Sequence, residues 1–212
     1  RDGLVICMDS KDSWRADIFP FYKHHRVKAK KQSSFDWEAF YTSMDTLIAE
    51  FREALPYKII KVDKCEADDI IAVLSLIYAP VVPTLITSSD HDFLQLQATC
   101  PELKQYSPHH KKFLTPGEYS LFEHVIKGDP GDGVPNIFSD EDVFVTEGKR
   151  QKPVFQAKMD EWKTFGLDCP EKFCTSEVEP INATEPDISF NILRIITKRS
   201  FPVMRGILFW YF

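Results

Sequence analysis

The sequence has few of the features that mark membrane or secreted proteins. No stretch approaches the roughly 18 consecutive uncharged apolar residues of a membrane-spanning helix, and the last apolar run, 207–212, is far too short. The five cysteines include no Cys-x-x-Cys pair, which fits a reducing cytoplasm better than a disulfide framework or a zinc site. The start of the chain carries no apolar signal segment. We therefore expect a cytoplasmic protein with no membrane contact.

The chain is nevertheless long and apolar enough to fold. It has 212 residues, of which 43% are hydrophobic and 27% charged. This composition predicts one large domain, or one domain with an appendage, and excludes disorder for most of the chain. The net charge of −6 at first argues against a nucleic-acid partner. The charge is unevenly distributed, however, and its distribution is more informative than its sum.

One segment of the sequence, 18–35, is strongly basic. It contains five lysines and arginines, two histidines and no acidic residue. Aromatic residues lie within and on both sides of this segment, among them Trp14, Phe21 and Trp37. Two interpretations remain open: a solvated helix or loop, or a surface that binds phosphates and stacks on unpaired bases.

The apolar pattern predicts an α/β domain. Short continuous apolar runs at 4–8, 58–62 and 84–87 are typical of buried parallel strands. A period near 3.6 residues predicts helices over 37–55 and 67–78. Strands alternate with helices along the chain, so we predict a parallel sheet flanked by helices.

A further helix is predicted after the α/β pattern. Thr115 to Glu118 form a capping box with proline at the first helical position, and Gly128 is a stop signal. Tyr119, Phe122, Val125 and Ile126 would then share one face. Turn residues and short helical pieces follow, so we predict an α/β domain over 1–114 and a second, helical region over 115–212.

Acidic residues follow each predicted strand. The four clusters are Asp9; Asp63 with Glu66, Asp68 and Asp69; Asp90 with Asp92; and Asp129 with Asp132 in a Gly-Asp-Pro-Gly-Asp-Gly turn. In an open parallel sheet the binding site lies beyond the carboxyl ends of the strands, so the first three clusters would meet in one crevice.

Carboxylates that converge without cationic partners repel each other unless they protonate or bind a cation. Oxygen ligands select hard ions, so Mg²⁺ is expected, with Mn²⁺ as the other choice, and a cluster of this size could hold two ions. A simpler interpretation of each single acid, such as Asp63 or Asp69, is a helix cap or turn residue. An EF-hand is disfavoured because the residues after Asp129 lack its ligand spacing.

Ordered sequence blocks resemble the flap endonuclease and 5′ to 3′ exonuclease family, in particular its phage members with RNase H activity. The blocks are Glu66-Ala67-Asp68-Asp69-Ile70-Ile71-Ala72, Ser88-Ser89-Asp90-His91-Asp92-Phe93-Leu94-Gln95-Leu96, Lys127-Gly128-Asp129-x-x-Asp132 and Val5-Ile6-Cys7-Met8-Asp9. Smaller matches include Trp14-Arg15, Tyr22-Lys23 and Lys111-Lys112. The resemblance extends over roughly residues 4–163.

The resemblance implies a PIN-like parallel sheet followed by a helix-three-turn-helix region. It also implies two Mg²⁺ ions: Asp9, Glu66, Asp68 and Asp90 would serve the first, and Asp92, Asp129 and Asp132 the second. Arg15 and Lys23 match positions that contact the scissile phosphate. The segment 15–36, with Arg26, Lys28 and Lys30, would form a basic arch for a single-stranded 5′ end. Lys149, Arg150 and Lys152 would contact the duplex.

The resemblance implies cleavage of 5′ flaps in forked DNA, or of RNA in an RNA–DNA hybrid, during replication. A single-stranded-DNA-binding protein or a sliding clamp is the partner expected for the family, and the enzyme would act as a monomer in the host cytoplasm if phage-encoded. The family's first strand, which ends in an aspartate, has no counterpart before Leu4, so we expect N-terminal truncation. Two alternatives remain: a PIN-type ribonuclease for single-stranded RNA, and a catalytically incomplete nucleic-acid-binding fragment.

Overall fold

The computed structural model describes residues 3–118 and 120–164. Its strands are β1 (Val5–Met8), β2 (Lys58–Lys61), β3 (Leu85–Thr87), β4 (Lys104–Ser107) and β5 (Lys112–Leu114). Its helices are α1 (Trp14–Ile18), α2 (His24–Gln32), α3 (Trp37–Ala54), α4 (Ala67–Tyr78), α5 (Leu94–Thr99), α6 (Leu121–Lys127) and α7 (Gln156–Thr164), with a short 3₁₀ turn at Pro116–Glu118. None of these helices is both long enough and apolar enough to cross a membrane.

The three strands predicted from apolar runs are all present. β1 pairs with β2 in parallel, with Val5 opposite Lys58, and β3 pairs in parallel with β4, with Leu85 opposite Lys104. β5 then pairs antiparallel with β4. Strands β4 and β5 were not predicted, because their mixed polar sequences contain no continuous apolar run. Within the described residues the strands form two sheets, β1-β2 and β3-β4-β5.

The helices over 37–54 and 67–78 agree with the sequence pattern. Asp36 caps α3, since its Oδ1 accepts a hydrogen bond from the amide of Ala39 at 2.9 Å. The predicted capping box at Thr115 was wrong: residues 116–118 make only a 3₁₀ turn. Helix α6 begins at Leu121 and is capped by Ser120, whose hydroxyl accepts from the amide of Glu123. Gly128 ends it, as predicted.

The chain divides into two compact units. Among the described residues, the first comprises 3–14 and 29–118, and the second comprises 15–28 and 120–164. In the first unit α4 packs against β1, β2 and α5. Its buried apolar side chains come mainly from α4, β3, α5 and the flanking loops: Ile70, Ala72, Ala79, Ile86, Phe93, Leu94, Leu96, Leu103 and Leu114.

The second unit has its own core around α6 and α7. Trp162 and Met159 of α7 are each 1% exposed, and Ile126 of α6 is equally buried. Phe138 packs against Trp162 with ring centroids 5.7 Å apart. The described part of the predicted helix-three-turn-helix region therefore comprises α6, the turns that follow it and α7, while 165–212 lie outside the described residues.

Candidate metal centre and nucleic-acid contacts

Asp9 is joined to the start of α4 in the first unit. Its Oδ1 accepts a hydrogen bond from the amide of Ala67 at 2.7 Å. Next to it, the amide of Ser10 donates to the carbonyl of Cys65 at 2.8 Å. The end of β1 therefore lies against the start of α4, where Glu66 and Asp68 are located. Two of the three predicted strand-end clusters meet here, as the parallel pairing of β1 and β2 requires.

Glu66 and Asp69 cap the first turn of α4. The amide of Glu66 donates to Oδ2 of Asp69 at 2.9 Å, and the indole of Trp14 donates to the same oxygen at 3.1 Å. Asp69 is thus committed to holding the helix start, which agrees with its simpler interpretation as a cap. Glu66 is only 7% exposed, so its carboxylate lies within the protein rather than on a solvated face.

The loop after β3 carries Asp90 and Asp92 in a fixed turn. The amide of Asp92 donates to Oδ1 of Asp90 at 2.9 Å, and the amide of Asp90 donates to the hydroxyl of Ser88 at 3.2 Å. The side-chain amide of Gln95, in α5, donates to the carbonyl of Asp92 at 2.8 Å. These local bonds set the direction of both carboxylates.

Two buried polar residues on β4 support this loop. Gln105 is fully buried, and its Nε2 donates to the carbonyls of Ser88 and Asp90, at 3.0 and 2.5 Å. Ser107, also fully buried, shares a hydrogen bond with Ser89 at 2.8 Å. Sequence reasoning gave neither residue a role. A polar residue at an inward position of a strand indicates such a supporting role, but only after the strand itself has been recognised.

The predicted ligands of the first unit fit a hard divalent cation. They are carboxylates without exception, and no cysteine or histidine belongs to the set. Asp9 and Asp90 have hydrogen bonds from backbone amides and no ion pair within the described residues. Such a donor set suits Mg²⁺ or Mn²⁺, which prefer carboxylate oxygens and retain bound water.

Asp129 and Asp132 lie in a tight turn of the second unit. The backbones of Asp129 and Val134 exchange two hydrogen bonds, each 2.8 Å long. Oδ1 of Asp129 accepts from the amides of Gly131 and Asp132, at 2.8 and 3.2 Å. Gly128 and Gly133 have φ values of 68° and 75°, in the left-handed region that glycine favours. Asp129 therefore shapes the turn and holds Asp132 in place.

Asp132 is bound by the basic segment of the second unit. Its Oδ2 accepts from the hydroxyl of Tyr22 at 2.8 Å, and its Oδ1 lies 2.9 Å from Nη2 of Arg26 and 3.6 Å from Nζ of Lys23. The amide of Lys23 donates to the carbonyl of Asp132 at 2.8 Å. The resemblance assigns Lys23 to the scissile phosphate and Asp132 to the second ion, and in the structure the two residues are in direct contact. Arg15, in α1, is half-buried in the same unit.

The basic residues of α2 differ in their surroundings. Lys28 is exposed, and no carboxylate pairs with it among the described residues. Nζ of Lys30, in contrast, donates to the hydroxyl of Tyr41 at 2.5 Å. It also lies 5.0 Å from the ring centroid of Trp37 and 5.1 Å from that of Tyr41. Lys30 is therefore held against aromatic rings by cation–π contacts, whereas Lys28 extends into solvent.

The basic residues of the loop 149–152 also differ in their ion-pair partners. Nζ of Lys149 lies 2.7 Å from Oδ1 of Asp142 and 3.6 Å from Oδ2 of Asp140. The hydrogen bond to Asp142 raises the pKa of Lys149 and lowers the pKa of Asp142. Arg150 and Lys152 are exposed and have no carboxylate partner in the part of the chain that the structure describes. They are the better placed of the three to bind a phosphate.

Buried polar side chains fasten this loop to the turn before it. Nδ2 of Asn136 donates to the carbonyl of Lys152 at 2.7 Å, and the amide of Lys152 donates to the hydroxyl of Ser139 at 2.9 Å. The side-chain oxygen of Gln151 accepts from the amide of Asn136 at 2.8 Å. Asn136 and Ser139 are each 6% exposed. Both backbone polar groups of Lys152 are therefore bound by the protein.

A carboxylate on α6 is held by two lysines. Hydrogen bonds from Lys127 and then Lys163, with their positive charges, lower the pKa of Glu123 to about 2. The nitrogens lie 2.7 and 2.9 Å from its oxygens. This triad ties α6 to the end of α7 and is a structural feature of the second unit.

Comparisons with known proteins agree with this arrangement. Residues 1–119 match the model of the 5′-3′ exonuclease N-terminal resolvase-like domain. The chain is 38% identical to Ribonuclease H of Enterobacteria phage T4 over 156 residues, which are 69% of this chain and 51% of that protein. It is 26% identical to a 5′-3′ exonuclease of Streptomyces coelicolor over 155 residues, 64% of this chain and 51% of that one. The chain thus spans about half the length of the curated relatives it matches.

Solved structures show the same fold. A crystal structure of a bacteriophage T5 protein, co-crystallised with metal ions, has a TM-score of 0.65 at 16% identity and covers 98% of this chain and 74% of its own. A bacteriophage T5 flap endonuclease in complex with DNA and metal ions gives 0.63 at 14% identity, covering 98% and 73%. The family match over more than half of the sequence shows that the chain belongs to the 5′-3′ exonuclease family, with its resolvase-like, PIN-type N-terminal domain.

Proposed function

We propose that this protein is a metal-dependent 5′ to 3′ nuclease with flap endonuclease and RNase H activity. The observation that carries the proposal is the set of strand-end carboxylates in the first unit, Asp9, Glu66, Asp68, Asp90 and Asp92, held in place by α4 and by Gln105. Family membership supports it independently.

The predicted carboxylate ligands would hold two Mg²⁺ ions, or Mn²⁺ in their place. We assign Asp9, Glu66, Asp68 and Asp90 to the first ion, and Asp92, Asp129 and Asp132 to the second. When bound, such ions activate water and stabilise the leaving oxygen of a phosphodiester. The chain itself contributes fixed carboxylates: backbone amides direct Asp9 and Asp90, and Tyr22 directs Asp132.

Arg15 and Lys23 are the proposed phosphate contacts at the reacting centre, where cations offset developing negative charge. Lys23 is suited to this role because its backbone is fixed by Asp132. Arg26, Lys28 and Lys30 belong to the proposed arch for the single-stranded 5′ end. Lys149, Arg150 and Lys152 are the proposed duplex contacts, which bind the backbone without reading sequence.

Forked or flap DNA and RNA–DNA hybrids are the proposed substrates, and removal of primers or flaps in replication is the proposed role. The relatives support this: one is named Ribonuclease H and comes from a phage, and another is a flap endonuclease in complex with DNA. We also propose action as a monomer in the cytoplasm, which is that of the host if the protein is phage-encoded, with a single-stranded-DNA-binding protein or a sliding clamp as a partner.

The test compares three substrates: a 5′-labelled flap duplex, an RNA–DNA hybrid and free single-stranded RNA, each with Mg²⁺, with Mn²⁺ and with chelator. We expect metal-dependent release of short products from the 5′ end of the first two. Faster cleavage of free RNA would favour a PIN-type ribonuclease instead. Tight binding of the flap without cleavage in either metal would contradict the nuclease proposal and indicate a binding protein.

A further inference from the structure

We propose that Arg26 competes with a divalent ion for Asp132, so that capture of the ion releases Arg26 from the turn 128–134 and makes it available to a phosphate. The inference rests on the proposed function, because it takes Asp132 as an ion ligand. It adds a role for Arg26 that the sequence did not indicate, namely a positioning residue that couples ion binding to the basic segment.

Both carboxylate oxygens of Asp132 are occupied by side chains of the second unit. Nη2 of Arg26 donates to Oδ1 at 2.9 Å, and the hydroxyl of Tyr22 donates to Oδ2 at 2.8 Å. The guanidinium also donates to the carbonyl of Gly131, from Nε at 3.1 Å and from Nη2 at 2.6 Å. Arg26 thus binds the turn at two adjacent residues, Gly131 and Asp132.

A divalent ion bound at Oδ1 would lie within a few ångströms of the guanidinium, and two positive charges at that separation repel. The hydroxyl of Tyr22 carries no charge and bonds the other oxygen, so it can remain while the ion binds. Of the two contacts, the one with Arg26 must therefore be lost or weakened when the ion is captured.

The pair is weak enough to be exchanged. The side chain of Arg26 is 49% exposed and that of Asp132 is 27% exposed, and ion pairs with this access to water change an affinity by no more than about fivefold. A divalent ion with several carboxylate ligands binds more tightly than a solvent-exposed ion pair does. The released guanidinium would suit a phosphate, which it can bind in a bidentate manner.

Lys23 keeps the two segments joined during the exchange. Its amide donates to the carbonyl of Asp132 at 2.8 Å, a bond that does not involve the carboxylate. Its ammonium is 3.6 Å from Oδ1, farther than the guanidinium of Arg26. Loss of the Arg26 contact would therefore loosen α2 at Arg26 while Lys23 stays anchored to the turn.

The experiment measures Mn²⁺ affinity by electron paramagnetic resonance, without nucleic acid, for the parent, Arg26→Ala, Arg26→Lys and Lys28→Ala. Lys28→Ala is the matched control, because it removes one positive charge from the same helix without touching Asp132. We expect Arg26→Ala to bind Mn²⁺ about two- to fivefold more tightly than Lys28→Ala, as loss of a surface ion pair predicts. Arg26→Lys, which keeps the charge but loses the forked contact, should fall between them.

A second readout is amide hydrogen exchange over residues 24–28, which Mn²⁺ should accelerate in the parent and leave unchanged in Arg26→Ala. Arg26→Ala binding Mn²⁺ no more tightly than Lys28→Ala would overturn the inference. Asp132→Asn separates this failure from a failure of the proposed function. If Asp132→Asn does not weaken Mn²⁺ binding, Asp132 is not a ligand. If it does weaken binding and Arg26→Ala behaves like its control, only the competition is wrong.

Discussion

Asp90 in the first unit and Asp132 in the second are both proposed ion ligands, yet the protein treats them differently. Asp90 receives a backbone amide and no cation within the described residues. Asp132 receives the hydroxyl of Tyr22 and the guanidinium of Arg26. No cation of the described residues therefore offsets the charge of Asp90, whereas the charge of Asp132 is partly offset by its own chain.

The difference shows two ways of holding a carboxylate ready for a cation. Backbone amides orient Asp90 without adding net charge, so electrostatic attraction for an ion remains strong. Side-chain cations stabilise the carboxylate of Asp132 when no ion is bound, but they compete with an ion for its oxygens. Four measurements test this contrast.

The first measurement concerns Asp90. We expect Asp90→Asn to lower turnover of a flap substrate by about a hundredfold or more, because the substitution removes the charge of a proposed ion ligand. The fold should be preserved, since the asparagine oxygen can still accept from the amide of Asp92. Turnover under Mg²⁺ and circular dichroism together check this. Asp63→Asn is the control, and a similar loss in that variant would argue against a specific role for Asp90.

The second measurement breaks the turn of the second unit. At Gly128 a Cβ would lie 2.5 Å from backbone atoms of Val134 and Pro135, at a φ of 68°. Gly128→Ala should therefore lower the free energy of unfolding by at least about 2 kcal/mol, as measured in urea. Gly117 has no atom within 4 Å of such a Cβ, so Gly117→Ala should change stability by no more than about 0.5 kcal/mol. Equal effects of the two substitutions would show that the turn tolerates a side chain at position 128.

The third measurement follows how the stability contributed by Glu123 depends on pH. Glu123 is another carboxylate of the second unit that is held by cations. Its pKa of about 2 in the folded state lies below the ordinary value of 4.5. Its contribution to stability is therefore complete above about pH 4.5 and is lost as the pH falls toward 2. Glu123→Gln should be less stable at pH 7 by about 1 kcal/mol or less, with the difference disappearing near pH 2.

Urea unfolding at a series of pH values tests this. Glu141→Gln is a suitable control, because Glu141 is exposed and has no ion pair among the described residues. A pH-independent difference for Glu123→Gln would mean that its two lysines do not favour the charged form in the folded protein.

The smallest effect is expected on the salt dependence of duplex binding. Lys152→Ala should weaken binding and reduce the slope of log affinity against log salt by about 1, as loss of one phosphate contact predicts. Lys149→Ala should change the slope less, because Lys149 is already paired with Asp142. The reverse order would show that Lys149 leaves Asp142 when nucleic acid binds.

The sequence predicted those features that depend on local pattern. Continuous apolar runs located β1, β2 and β3, and the acids that follow them could be found by position alone. β4 was not predicted, because Lys104–Ser107 has no apolar run, and without it Gln105 could not be recognised as support for Asp90. The contact between Arg26 and Asp132 spans 106 positions, and nothing in the local sequence of either residue specifies it.

The two hydrogen bonds that hold the backbone of Lys152 have a consequence for the entropy of binding. A loop that must become ordered when it meets a phosphate loses conformational freedom at that moment, which weakens association by about 1 to 2 kcal/mol for each residue fixed. At Lys152 the backbone is already fixed by Asn136 and Ser139, so only its side chain remains to be ordered. The proposed duplex contact of Lys152 would thus lose less conformational freedom than a contact made by a lysine in an unconstrained loop.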